Sequence, residues 1–155
     1  MDSTVFEKIK NLLDSNSVEY ILSIHEPVRT SEEAAQIRGT DIRTGAKAMI
    51  VKAQDSYYLC VLPASKKLDW KKVNSLLRAK NARLATVEEA QTVTTVQVGG
   101  VPPFGNVMNL STYFDETLLS LERVNFNAGL KTHSVSMLTK DLVKLVVPTI
   151  CSISL

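Results

Sequence analysis

Ala46-Lys47-Ala48-Met49-Ile50-Val51-Lys52-Ala53, then Gln54-Asp55-Ser56, then Tyr57-Tyr58-Leu59-Cys60-Val61-Leu62 is the stretch on which the fold turns. Two runs rich in aliphatic and aromatic residues flank a short polar turn, which predicts two neighbouring strands. Each run places apolar side chains on both of its faces instead of alternating them with polar ones. A strand of that kind is covered on both sides, so these two are expected to be central in their sheet.

Outward from this pair, helices and strands interleave. Val5, Ile9, Leu12 and Leu13 recur at helical spacing before the Asp14-Ser15-Asn16-Ser17 cluster, predicting an amphipathic first helix. Tyr20 to Ile24 reads as a strand. Thr30-Ser31-Glu32-Glu33 has the form of a capping box and opens a helix through Ala34, Ala35 and Ile37 that stops at Gly39; the same form recurs at Thr86 to Glu89. Trp70, Val73, Leu76 and Leu77 make the buried stripe of a helix capped by Asp69, and Ala82 to Ala85 returns as a short strand. Thr112 to Asp115, Leu121 to Asn127 and His133 to Met137 add strands, and Leu142, Leu145 and Val146 line a final helix. The order predicts an α/β protein, a single domain over residues 1–155 with a mixed, mostly antiparallel sheet covered by helices.

Composition narrows the class. A chain of 155 residues, 45% hydrophobic, can bury one sizeable core. The longest apolar run, Leu142 to Leu155, is interrupted by Lys144 and Pro148, so no membrane span is expected. Met1-Asp2-Ser3 lacks the basic start of a secretory signal, and the cytoplasm is the expected compartment. Cys60 and Cys151 are expected to be free thiols, and with His25 and His133 they offer no pair at ligand spacing, so neither a metal nor another cofactor is expected. No serine sits in a nucleophile turn, and the phosphate-binding glycine fingerprints of nucleotide enzymes are absent.

Chemistry gathers at Gly99-Gly100-Val101-Pro102-Pro103-Phe104-Gly105 and at a second small-residue corner, Phe126-Asn127-Ala128-Gly129. Glycine lets a backbone come close and adopt positive φ, and the paired prolines stiffen the second half of the loop. The N–H groups of Gly99, Gly100 and Val101 then either close an ordinary turn or point at a bound carbonyl or phosphate. Lys47 shares a strand face with Met49 and Val51; its ammonium either snorkels into water or enters a cleft beside the glycine loop. His133, on a face with Val135 and Met137, is either a core histidine or the border of a pocket. Net charge is only +2, but Lys66, Lys67, Lys71, Lys72, Arg78, Lys80 and Arg83 face the single acid Asp69 across one window. That window is either a solvated helix face or a track for a phosphate backbone.

Taken in order, His25-Glu26-Pro27-Val28-Arg29-Thr30-Ser31-Glu32-Glu33-Ala34, Ala46-Lys47, Val61 to Asp69, Ala82-Arg83-Leu84-Ala85, Gly99 to Gly105 and Asn127-Ala128-Gly129 resemble the YbaK/ProX family over nearly the whole chain. This family comprises freestanding aminoacyl-tRNA editing domains related to the insertion domain of bacterial prolyl-tRNA synthetases. The resemblance implies metal-free hydrolysis of the ester joining a wrong amino acid to the 3′ adenosine of a tRNA, with alanine on the tRNA for proline as the leading cargo and cysteine as an alternative.

In the same terms, Lys47 matches the lysine near the substrate, and Gly99 to Pro103 matches the G-x-x-x-P loop whose amides bind the aminoacyl carbonyl or position water. The resemblance thus implies catalytic roles for Lys47 and Gly99, and His133 is expected either to join them or to pack in the core. It also implies a pocket of Thr30, Met49, Gly100, Val101, Pro103, Phe104, Gly105, Asn127, Ala128 and Gly129. Lys66, Lys67, Lys71 and Lys72 would meet tRNA, and an aminoacyl-tRNA synthetase is a candidate partner. The competing expectation is a noncatalytic module that binds tRNA or a synthetase.

Overall fold

The computed structural model describes residues 4–27, 36, 44–97 and 99–155. The pair expected to be central forms a hairpin, β2 (Ala46–Ala53) and β3 (Ser56–Pro63), in register from Ala46 opposite Pro63 to Ala53 opposite Ser56. Around it runs a five-stranded mixed sheet in the order β4 (Arg83–Leu84), β2, β3, β5 (Ser111–Asp115), β8 (Thr149–Cys151). The pairings β3–β5 and β5–β8 are parallel.

A separate three-stranded antiparallel sheet has the order β1 (Tyr20–Ile24), β7 (His133–Leu138), β6 (Arg123–Leu130). The strands of this α/β domain divide into two sheets, which meet among the described residues at a parallel bridge between Gly45 and Asn125. β6 and β7 form a tight antiparallel pair with β1 on its outer side, and the residue just before β2 is bridged to β6.

Two clusters explain the apolar runs of the hairpin. Ile50, Leu59 and Val61 face a main core built with Phe114, with Val124, Phe126, Val135 and Met137 of the smaller sheet, and with Val5, Ile9 and Leu13 of helix α1 (Val5–Ser15). Val51, Cys60 and Leu62 face the opposite way, into a cluster closed by Leu68, Ile153 and Val73 of helix α2 (Trp70–Leu77). Burial on both faces pushes the Cys60 thiol up to about 12, which leaves it protonated and unreactive.

Helix ends are well signalled. α1 begins with a capping box in which Thr4 and Glu7 hydrogen-bond each other's amides, a signal the sequence reading passed over. Asp69 caps α2 through the amides of Lys71 and Lys72, and Thr86 with Glu89 boxes helix α3 (Val87–Thr94). A short helix α4 (Gly105–Met108) and a helix α5 (Thr139–Val146) complete the cover. Among the described residues no helix is long and apolar enough to cross a membrane.

Asp115, fully buried at the end of β5, ties the C-terminal segment to the sheet. One carboxylate oxygen accepts the amides of Ile153 (2.8 Å) and Ser154 (3.0 Å). The other accepts the Ser154 hydroxyl and both the amide and hydroxyl of Thr117. Burial by itself would raise this carboxyl, but the bonds from Thr117, Ile153 and Ser154 outweigh it and hold it below the ordinary carboxylate range. Asp115→Ala strands buried amides and is expected to cost about 3 kcal/mol, read as a lower urea midpoint at constant m value. Because the folded state lowers this pKa, its stabilisation is complete above the unfolded value of about 3.9 and fades as pH falls through the folded one. Urea titrations from pH 7 down to pH 2 should therefore show a loss below about pH 4 that is smaller in Asp115→Ala.

Candidate active site

The bridge between Gly45 and Asn125 decides which side chains share a face. Paired residues on adjacent strands point the same way, and alternation then sends Lys47 of β2 to the side occupied by Asn125 and Asn127 of β6. Asn127 lies opposite Ser134 of β7, which puts Ser134 on that face as well. The opposite faces of β6 and β7, through Val124, Phe126, Val135 and Met137, enter the main core. Asn125, Asn127 and Ser134 thus share one polar side of the smaller sheet at the seam, with Asn125 and Ser134 buried there.

The glycine loop is pinned to this surface. Asn127 Nδ2 donates to the Gly99 carbonyl, and the Ser134 hydroxyl donates to Asn127 Oδ1 at 3.2 Å. His25, just past the end of β1, meets Ser134 Oγ through Nε2 at 2.6 Å. At the other side of the seam, Asn125 Nδ2 donates to Thr44 Oγ1 at 2.9 Å. His25 and Ser134 are site residues the sequence reading missed. Ser134 could have been found from its alternation with His133, which puts a hydroxyl on the face of Asn127.

Two of the loop's carbonyls are held, and this sets its amides. The Gly100 N–H closes a turn onto the Gln97 carbonyl (2.9 Å), so the expectation of an open amide at Gly100 is corrected. The Gly100 carbonyl accepts the Gly129 N–H (2.8 Å). In a trans peptide C=O and N–H are antiparallel, so the Val101 N–H is aimed away from Gly129. Gly99 and Val101 have amides without a partner among the described residues.

Several residues expected to line a pocket are structural instead. Phe104 is fully buried, its ring edge-on to Phe126 at 5.6 Å between centroids. Gly105 starts α4 against β5; a Cβ there would lie 1.6 Å from Thr112 Oγ1 and 2.6 Å from the Leu110 carbonyl. Ala128 is buried in the main core. Gly129 holds φ +92° with its Cα turned to the Phe6 backbone of α1. Pro103 is buried, Val101 packs on the main core, and Met49 packs beside α2 on the same side as Lys47. His133 leaves β7 opposite to Ser134: its Nδ1 meets the Thr132 hydroxyl at 2.7 Å and its ring stands edge-on to Phe6, outside the Asn127 chain. Thr30 lies outside the described residues.

The basic window divides. Ala64 N–H donates to the Gly45 carbonyl (2.7 Å), bringing the loop that carries Lys66 and Lys67 beside the seam. Lys67 and Lys71 are exposed. Lys72 is occupied, its ammonium bonding the Ser154 carbonyl (2.8 Å) and the Ser152 hydroxyl. Arg83 is occupied too, in a two-pronged pair with Glu89 at 2.8 and 3.1 Å. That guanidinium, the Thr86 amide and the Tyr57 hydroxyl hold Glu89 far below the usual carboxylate range. A shallow concavity lined by Gln54, Arg78, Ala79, Lys80 and Asn81 sits at the turn of the hairpin, roughly 20 Å along β2 from Lys47 and separate from the polar face. Among the described residues no group of His, Cys, Asp and Glu is arranged to hold a metal ion.

Asn127 and Ser134 thus tie the Gly99 loop to β6 and β7, and Lys47 is the cation that alternation along β2 puts on the same side of the seam. The particular assignment follows from comparison: residues 25–145 match the aminoacyl-tRNA editing domain, and the chain belongs to that family. It is 28% identical over 151 residues to the multifunctional Ser/Thr-tRNA deacylase ProXp-y of Escherichia coli (strain K12), spanning 94% of this chain and 90% of that protein. It is 30% identical over 102 residues to the proline–tRNA ligase of Caldicellulosiruptor bescii, covering 66% of this chain but 17% of the synthetase. A crystal structure described as a candidate trans-editing enzyme for prolyl-tRNA synthetase superposes with a TM-score of 0.83 at 25% identity, over 100% of this chain and 99% of its own.

Gly129→Ala tests the structural assignment of the second corner. With φ +92° and a Cβ 2.9 Å from the Phe6 nitrogen, the variant is expected to lose stability, seen as a lower Tm by calorimetry. The loss should be about 2 kcal/mol.

Proposed function

We propose that this protein is a trans-editing deacylase that hydrolyses the ester between a small misattached amino acid and the 3′ adenosine of a tRNA, with alanine on the tRNA for proline as cargo. The observation that supports this reading is the bridge between Gly45 and Asn125, which gives Lys47 the facing of Asn127, the side chain that holds the Gly99 carbonyl. The Lys47 ammonium faces the terminal phosphodiester and the developing negative charge. The Gly99 and Val101 amides receive the carbonyl oxygen as it becomes an oxyanion. A water oxygen bonds to the carbonyl carbon, the ester C–O bond breaks, and the proton shed by the water ends on the departing ribose oxygen. An activated ester needs little more once the water is aligned. The exposed Lys67 and Lys71, beside the seam, meet the acceptor stem, and kinship with a synthetase insertion supports a prolyl-tRNA synthetase as partner.

A second cargo is favoured by a specific observation. The hydroxyl and amide groups of Ser134 and Asn127 border the loop, and a relative spanning nearly the full chain is named for seryl- and threonyl-tRNA. A site that hydrogen-bonds a cargo hydroxyl rejects the analogue lacking it far more strongly than one selecting on volume alone.

Incubating the protein with alanyl-, cysteinyl-, seryl- and threonyl-tRNA separates the readings. Release of alanine from the tRNA for proline is expected. Preferential release of serine or threonine installs the second cargo, and tRNA binding with no release leaves a noncatalytic module. Lys47→Ala should lower kcat/KM by about 10²-fold. An undiminished rate removes the lysine from the mechanism.

The pair Lys67→Glu and Lys71→Glu should weaken tRNA binding and flatten its dependence on log salt concentration by about one unit for each phosphate no longer neutralised. Filter binding across a salt series reads this directly. Lys72 is unsuitable for that test because it anchors the C-terminal segment.

A further inference from the structure

The Gly99 carbonyl is one end of a hydrogen-bond chain whose direction can be followed link by link. A backbone carbonyl only accepts, so Asn127 turns Nδ2 to Gly99 and Oδ1 away from it. Oδ1 accepts the Ser134 hydroxyl proton. A hydroxyl has a single proton, so the Ser134 oxygen, 2.6 Å from His25 Nε2, is an acceptor there and the imidazole N–H donates. At the far side of the ring Nδ1 lies 2.7 Å from the Glu26 carbonyl oxygen, which also only accepts. Every link from His25 Nε2 onward points toward Gly99.

The loop needs such a restraint. Gly99 (φ 89°) is followed by a second glycine, so the intervening peptide has little steric resistance to flipping, and a flip would turn its carbonyl toward the place meant for donors. Asn127 holds the oxygen of that peptide, and the Gln97 carbonyl holds its N–H. We propose that His25 is a positioning residue: through Ser134 and Asn127 it fixes the Gly99 peptide and so aims the Gly99 and Val101 amides at the substrate. This rests on the deacylase reading above. His25 acts through its neighbours, 109 residues away in sequence from the serine it anchors. Glutamine at position 25 keeps one N–H donor, whereas alanine removes it.

The test compares the full-length protein with its His25→Ala, His25→Gln and Ser134→Ala variants, in steady-state deacylation of the aminoacyl-tRNA that the wild type hydrolyses best. His25→Ala and Ser134→Ala should each lower kcat about tenfold or more with KM for tRNA nearly unchanged, because binding elsewhere is intact while the oxyanion donors are misaimed. His25→Gln should recover most of that loss. Amide exchange by NMR supplies a readout independent of activity. Gly100 and Gly129 N–H should exchange about tenfold faster in His25→Ala and Ser134→Ala but not in His25→Gln, with Val73 in α2 as the unperturbed reference. Unchanged exchange, a loss confined to KM, or glutamine behaving as alanine overturns the positioning role. A wild-type protein that releases no amino acid overturns the deacylase reading, and the exchange measurement still decides the chain.

Discussion

A single backbone contact between two sheets, Gly45 against Asn125, sets the geometry on which the site depends. Side chains in a strand alternate strictly, so one bridge between neighbouring strands fixes the facing of every residue on both. A slip of one residue at this seam would send Lys47 into the main core and bring Ala46 and Ala48 out. Glycine at position 45 suits a place where the start of β2 approaches β6 on one side while its carbonyl receives the Ala64 amide on the other. The same residue thereby draws the lysine-bearing loop after β3 toward the lysine on β2.

The two small-residue corners have different physical duties. Gly129 and Gly105 are small because a Cβ would collide with the Phe6 backbone or with Thr112 and Leu110. They let α1 and β5 come close. Gly99 and Gly100 sit where carbonyls are captured from two directions, by the Asn127 side chain and by the Gly129 amide. Capturing the carbonyls is what frees amides for chemistry, since the two ends of a peptide unit cannot point the same way. Gly129 is thus both a packing glycine and a donor to the loop.

Charge is divided by the same logic. Of seven cations in one window, Lys72 is consumed by the C-terminal segment and Arg83 by Glu89, which also serves the cap of α3. Lys67 and Lys71 remain toward solvent near the seam. Counting charges overstates a nucleic-acid surface wherever part of the count stabilises the fold.

Much of the architecture was legible in local pattern. The doubly apolar runs of β2 and β3, the helical stripes of α1, α2 and α5, and the caps at Asp69 and Thr86 each follow from side-chain periodicity or from one oxygen meeting an orphan amide. The parallel strand β8 and the short helix α4 were not legible, because three or four residues carry too little periodicity to stand out. Lys47 and the Gly99 loop could be singled out from residue type, as could the resemblance to editing domains.

By itself, then, the order of residues determined the elements, the class of fold and the chemical groups available, since those depend on neighbours along the chain. Tertiary structure alone decided that Lys47, Asn127 and Ser134 share a face, that His25 reaches across to Ser134, and that Phe104, Gly105 and Ala128 belong to packing. These are relations between strands far apart in sequence, and hydrogen-bond register, which no local periodicity encodes, is what brings them together.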